Sequence, residues 1–174
     1  MEMIKFPQFE LVPVSKYPIP ESLDVECGYL TVPESRSAPS GNFPSTRTLR
    51  IYFTIVKSLN ENPPLDPIVF LYGGPGGNSG GILQAFGDPQ VRKLLLSRND
   101  FIVFDHRGTG FSEPALFAPE VNPLWSDAFL KDFDADERAE RFVAAMLKAQ
   151  ARFVDAGINL AAVNTAEIAS DLND

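Results

Sequence analysis

An apolar run, Pro67-Ile68-Val69-Phe70-Leu71-Tyr72, stops abruptly at Gly73-Gly74-Pro75-Gly76-Gly77, and this junction constrains the chain more than any other stretch. A short β-branched and aromatic run bounded by turn formers predicts a buried strand. Glycines directly after it let the backbone take positive φ and come close to another group. A bare loop at the end of a strand presents backbone N–H groups, and such groups can stabilise negative charge developing on a reacting oxygen. The same residues also fit a tight strand-to-helix turn with no chemistry. The rest of the sequence has to decide between the two.

Upstream, Pro7, Pro13, Pro18 and Pro20 exclude a helix, so residues 1–24 are expected to form an extended arm. The alternation in 25–32 predicts a first strand, ended by Pro33. Residues 34–47 have loop composition, and Leu49, Ile51, Phe53 and Ile55 place a second strand at 49–57 with one apolar face. These two strands predict an antiparallel hairpin. Beyond the glycine loop, Asp88 and Pro89 open a helix over about 88–97 with Val91, Leu94 and Leu95 on one side. Phe101-Ile102-Val103-Phe104 is another strand, and Asp105-His106-Arg107-Gly108-Thr109-Gly110-Phe111-Ser112 follows it at once. Strand, glycine loop, helix, strand and glycine loop form the rhythm of a parallel α/β sheet, whose carboxyl edge is where such sheets bind ligands.

Residues 113–133, with Pro114, Pro119 and Pro123, are expected to be irregular. A helix is expected over 134–156, with Phe142, Val143, Met146, Ala149, Phe153 and Val154 in a stripe that serves a core or an interface, and with Gly157 as its stop. A last helix starts near Asn164, where Glu167 three residues on completes a capping-box pattern. Its register is interrupted at Asp174, and the pattern is expected to belong to a longer chain.

Charge and cysteine content narrow the function classes. A net charge of −8 argues against nucleic-acid and anionic-membrane partners, which select basic surfaces. Cys27 is the only cysteine, so no internal disulfide can form. Residues 1–20 lack the apolar core of a signal peptide, and a cytoplasmic location is expected. With one His and one Cys and no ligand spacing, neither a metal nor a cofactor is expected. Gly108 and Gly110 lack the third glycine of a dinucleotide fingerprint.

Four segments carry a family resemblance: Cys27-Gly28-Tyr29-Leu30-Thr31-Val32-Pro33, Gly73-Gly74-Pro75-Gly76-Gly77, Asp105 through Ser112, and Asn164-Thr165-Ala166-Glu167 with Asp171-Leu172. In order and spacing they resemble the amino-terminal part of the α/β-hydrolase fold, in the proline iminopeptidase and tripeptidyl-aminopeptidase-like serine peptidases. One departure is Tyr72, where the family usually has His. The resemblance implies an antiparallel hairpin leading into a parallel sheet with flanking helices, truncated before the nucleophile strand. Residues 25–174 would be the amino-terminal part of that domain, with a helical insertion beginning at about 113–160. It also implies an aminopeptidase that works through an acyl-enzyme, with a peptide as substrate. The Gly74 N–H would be an oxyanion donor, with Gly73 in the same loop. The nucleophile in its G-x-S-x-G elbow, the acid and the base would come later than these 174 residues. This chain alone would then be inactive, and the missing carboxyl-terminal part of the fold would be its partner. Relatives in that family are often exported.

Other assignments compete with this one. Gly77-Asn78-Ser79-Gly80-Gly81 matches G-x-S-x-G literally, and His106 is the only histidine available as its base, which would make a small esterase. Against it, Ser79 lies seven residues past Tyr72, not at the strand's end. Asp105 and Arg107, with Gly108 and Gly110 beyond them, fit either substrate contacts or ion pairs and backbone hydrogen bonds that hold the second glycine loop to the first. A non-catalytic alternative is a fragment that pairs with a partner through an exposed sheet edge.

Overall fold

A computed structural model describes residues 8–36, 47–74, 76–131 and 133–174. It divides into two compact units, Met1–Ala115 with Val163–Asp174, and Leu116–Ala162. The first is mixed α/β, with five strands: β1 (Gln8–Val12), β2 (Val25–Pro33), β3 (Thr48–Val56), β4 (Ile68–Leu71) and β5 (Phe101–Phe104). Their order in the sheet is β1-β2-β3-β5-β4. β2 and β3 pair antiparallel over their full length, from Val25↔Val56 to Pro33↔Thr48, as the hairpin reading requires. β3 pairs antiparallel with β5, and β5 runs parallel to β4, so the glycine loops after β4 and β5 leave the same edge of the sheet.

The arm is only partly as expected. Its described part contains β1, which pairs with β2, and a 3-10 turn at Val14–Lys16. Pro13 follows this strand without interrupting it. Gly28 of β2 makes the pairing possible, because a Cβ there would sit 2.3 Å from the Glu10 carbonyl oxygen. Of the loop read at 34–47, residues 37–46 lie outside the described residues, as does Pro75 of the first glycine loop.

Helices α1 (Ser79–Ala85) and α2 (Pro89–Leu96) cover one face of the sheet. Asn78 caps α1 by accepting from the Gly80 N–H, and Asp88 caps α2 by accepting from the Gln90 N–H at 2.7 Å. Leu83, Phe86 and Leu96 pack on Val56, Phe101 and Val103, each 0–2% exposed. Side chains of this size contribute about 1.5–3 kcal/mol each when fully buried.

In the second unit, a 3-10 turn at Pro119–Val121 leads into α3 (Asn122–Leu130), where an irregular segment was expected. Pro119 and Pro123 sit in first turns, the one part of a helix that tolerates them. α4 (Ala135–Asp155) starts on Asp134, which accepts from the Glu137 N–H, and stops at Gly157, φ +74°. Of its apolar stripe, Ala149 and Phe153 are buried, whereas Val143, Met146 and Val154 are more than half exposed. α5 (Thr165–Asn173) returns to the first unit, capped by Asn164, which accepts from the Glu167 N–H. Among the described residues no helix is long and apolar enough to cross a membrane.

Candidate active site

The two glycine loops are tied together by one carboxylate. Asp105, fully buried at the end of β5, accepts the Ser79 N–H on Oδ1 at 2.5 Å and the Phe111 N–H on Oδ2 at 2.8 Å. One oxygen thus holds the end of the first glycine loop, and the other closes the second loop on itself. Its own N–H donates to the Tyr52 carbonyl, and its carbonyl accepts from Ser112 Oγ, which in turn accepts the Tyr52 N–H. A buried carboxylate is stable only when so satisfied. Gly110 allows this closure, because it sits at φ +52° and a Cβ there would lie 2.0 Å from Asp105 Oδ2. Phe111 anchors the second loop by stacking edge-on against Tyr52 and Tyr17 at 5.2 and 5.0 Å.

In the first loop, Gly74 has φ +143°, a conformation that L side chains rarely adopt. Gly73 and Gly74 are exposed. Among the described residues their N–H groups have no acceptor. The Tyr72 ring lies against the far side of the loop. A Cβ on Gly77 would be 2.0 Å from it, and one on Gly81 would be 2.6 Å from its hydroxyl. Gly77 of the loop and Gly81 of α1 therefore make room for Tyr72, a role that the sequence reading did not foresee.

Among the described residues Arg107 is the largest fully buried side chain. Its Nε and Nη2 grip Asp171 of α5 in a fork at 2.7 and 2.6 Å, while Nη1 donates to the Glu34 carbonyl at 2.6 Å and Nη2 to the Pro33 carbonyl at 3.2 Å. Arg36 extends the cluster to Glu167, Asp171 and Asp174. Burial pushes the Glu167 carboxyl up, but the Arg36 backbone N–H and guanidinium outweigh it and hold the pKa below its usual value. Arg107 therefore fastens the second glycine loop to β2 and α5. Sequence reasoning singled out Arg107, but not Arg36 or Glu34.

Ser79 opens α1, and neither its Oγ nor His106 Nε2 has a hydrogen-bond partner among the described residues, although both atoms are buried. They are therefore not bonded to each other, and Ser79 is 0% exposed. The His106 ring stacks on Phe104 at 5.1 Å, and burial lowers its pKa against the pull of Asp105 and Asp171. No Ser79–His106 hydrogen bond is present among the described residues. Among the described residues, no group of three or more His, Cys, Asp or Glu side chains is arranged to hold a metal.

Compared with protein-family models and with curated proteins, the chain matches none. The family resemblance accordingly rests on the four sequence segments.

Proposed function

We propose that this chain is the amino-terminal part of an α/β-hydrolase-type serine peptidase, acting as an aminopeptidase, and that the loop at Gly73 and Gly74 is half of its oxyanion hole. The observation that carries this reading is the exposed Gly74 at the carboxyl end of β4, whose N–H has no acceptor among the described residues, in a loop whose end is held by Asp105. In the hydrolase arrangement one oxyanion donor comes from the loop between a strand and the helix after it, and the other from the residue following the nucleophile. The loop between β4 and α1 occupies the first of these positions in chain order. Donors fixed before reaction need no reorganisation when the charge forms, and loss of one donor typically costs about 10²–10³ in rate. The nucleophile belongs on a strand outside these residues, and β4 offers it a free edge.

The test is hydrolysis of an aminoacyl arylamide by the protein isolated from its native source. Complete loss of turnover after treatment with a fluorophosphonate is expected, and an activated ester of the same amino acid, whose acylation is fast, is expected to release its phenol in a burst ahead of slower turnover. The 174-residue chain alone is expected to be inactive. Activity that survives the fluorophosphonate would sink the reading.

A further inference from the structure

Gly77 and Gly81 are glycines that their own backbones do not require. The glycines at positive φ around the first loop are Gly74 and Gly76. Gly77 is not among them, so its φ does not call for glycine. Gly81 lies inside α1, where glycine is a poorer helix former than alanine. What excludes a side chain at both positions is space, and at both the space is taken by Tyr72. A Cβ on Gly77 would lie 2.0 Å from Tyr72 Cδ1, 2.4 Å from its Cε1 and 2.3 Å from the Gly73 carbonyl oxygen. A Cβ on Gly81 would lie 2.6 Å from the Tyr72 hydroxyl and 3.3 Å from Cζ. The ring has a further support: it meets Phe70 edge-on at 5.8 Å, and Phe70 stacks on Phe101 of the helix-covered core at 5.9 Å. The Tyr72 hydroxyl makes no hydrogen bond among the described residues, so the side chain acts here through its shape.

The Gly73 oxygen gives this packing a consequence for the Gly74 N–H. The Gly73–Gly74 peptide is trans. In a planar trans peptide the C=O and the N–H point in opposite directions. A carbonyl laid against Gly77 therefore turns the Gly74 N–H away from Gly77 and the Tyr72 ring. Contacts thus run without a break from the core through Phe70 and Tyr72 to Gly77, and from Gly77 to the peptide that carries the donor. Asp105 fixes the far end of the same loop by accepting the Ser79 N–H. Glycines that only let a chain turn belong at positive φ, as Gly74 and Gly76 do. Gly77 and Gly81 do not fit that role, and the place of the Tyr72 ring accounts for both.

We propose that Tyr72, Gly77 and Gly81 are positioning residues that together set the direction of the Gly74 N–H. Tyr72 is the wedge. Gly77 passes the position of its ring to the Gly73 carbonyl, and Gly81 gives the hydroxyl end of the ring its place against α1. The orientation rests on this packing alone, whereas its use in binding an oxyanion rests on the function proposed above. A donor aimed before reaction stabilises the developing charge without reorganising. Turning this one peptide is then felt in kcat more than in KM, because the contact is made in the transition state.

The experiment labels the full chain with isotopic glycine, aligns it weakly in a stretched gel and measures the residual dipolar coupling of the Gly74 N–H, which reads the direction of that bond. Tyr72→Phe keeps the ring and is expected to leave the coupling unchanged. Gly81→Ala pushes on the hydroxyl end of the ring and is expected to change the coupling, although Gly81 lies in the helix and not in the loop. The double variant Gly81→Ala, Tyr72→Phe removes the clashing oxygen and is expected to restore the wild-type value, a rescue that a purely local effect on α1 would not show. Gly77→Ala is expected to change the coupling with or without Tyr72→Phe, because the ring carbons and the Gly73 oxygen stay in its way. Circular dichroism checks that each chain folds, and should Gly77→Ala fail to do so, the Gly81 pair still decides. In the complete peptidase, Gly77→Ala is expected to lower kcat for the aminoacyl arylamide at least about tenfold with KM within about twofold. Two results would each overturn the proposal: a folded Gly77→Ala or Gly81→Ala chain that keeps the wild-type coupling, or a Gly81→Ala change that Tyr72→Phe does not relieve. Altered couplings with an unaltered kcat would uphold the positioning and overturn instead the reading of Gly74 as an oxyanion donor.

Discussion

Replacing Arg107 by Met keeps the aliphatic stem and removes the guanidinium. The change leaves the buried Asp171 without its bidentate partner and leaves the Pro33 and Glu34 carbonyls without their donor. Arg36 still reaches Asp171 at 2.9 Å, so the carboxylate is not wholly abandoned. Removing one member of a buried pair costs about 3–5 kcal/mol, and the remaining Arg36 contact points to the lower part of that range, about 3 kcal/mol. Against a total stability of roughly 5–15 kcal/mol this is a large fraction. Arg107→Lys keeps the charge but cannot form the fork, and is expected to lose about half as much. The double variant Arg107→Met, Asp171→Leu removes both charges and is expected to be more stable than the sum of the single losses, because no unpaired carboxylate remains. Urea denaturation followed by circular dichroism measures all five chains, the wild type and the single variant Asp171→Leu included. A loss below about 1 kcal/mol for Arg107→Met, or strict additivity in the double variant, would refute the argument that this pair fastens the second glycine loop.

Three further outcomes can be checked independently. Gly110→Ala forces an L side chain into φ +52° and onto Asp105 Oδ2, and should lower stability by about 2–4 kcal/mol and shift the Ser79 amide resonance; a change within about 0.5 kcal/mol would contradict the close approach. His106 is held neutral by burial below its ordinary value of 6.5, so the unfolded chain takes up a proton first as the pH falls. Stability should therefore drop as pH is lowered from about 6.5 towards the depressed native value, and His106→Gln should flatten that slope in urea titrations at several pH values. In the helical unit, Arg152 beside Glu120 holds that carboxyl down to about 2. Its contribution should be intact above the usual carboxylate range and lost as pH falls through about 2, which carbon-detected NMR of the Glu120 carboxyl measures directly.

Features set by neighbouring residues were legible in the sequence. The apolar run at Phe101–Phe104, the Asp88-Pro89 helix start and the Gly157 stop each depend on a few adjacent positions, and each lies where expected. The tie between the glycine loops was also foreseeable, because a charged residue at the end of a buried strand must find partners, and Asp105 finds two N–H groups. Other features depend on distant residues. Arg36 meets Glu167 across 131 positions, and no local period announces such a pair. β1 was hidden because prolines dominate the arm's composition, while its pairing depends on the missing side chain at Gly28. α3 was obscured for a related reason, since Pro123 reads as a breaker unless the helix start is known.

The reading of Gly73 and Gly74 as an oxyanion loop is tested most directly by locating the serine that a fluorophosphonate modifies. The endogenous protein would be labelled in its native source, isolated through an antibody to this chain and digested for mass spectrometry. The modified serine should lie in a Gly-x-Ser-x-Gly elbow outside residues 1–174, on polypeptide that is purified with the Gly73–Gly74 peptide. A label on Ser79, or isolation of the chain with no modified serine at all, would contradict the proposal.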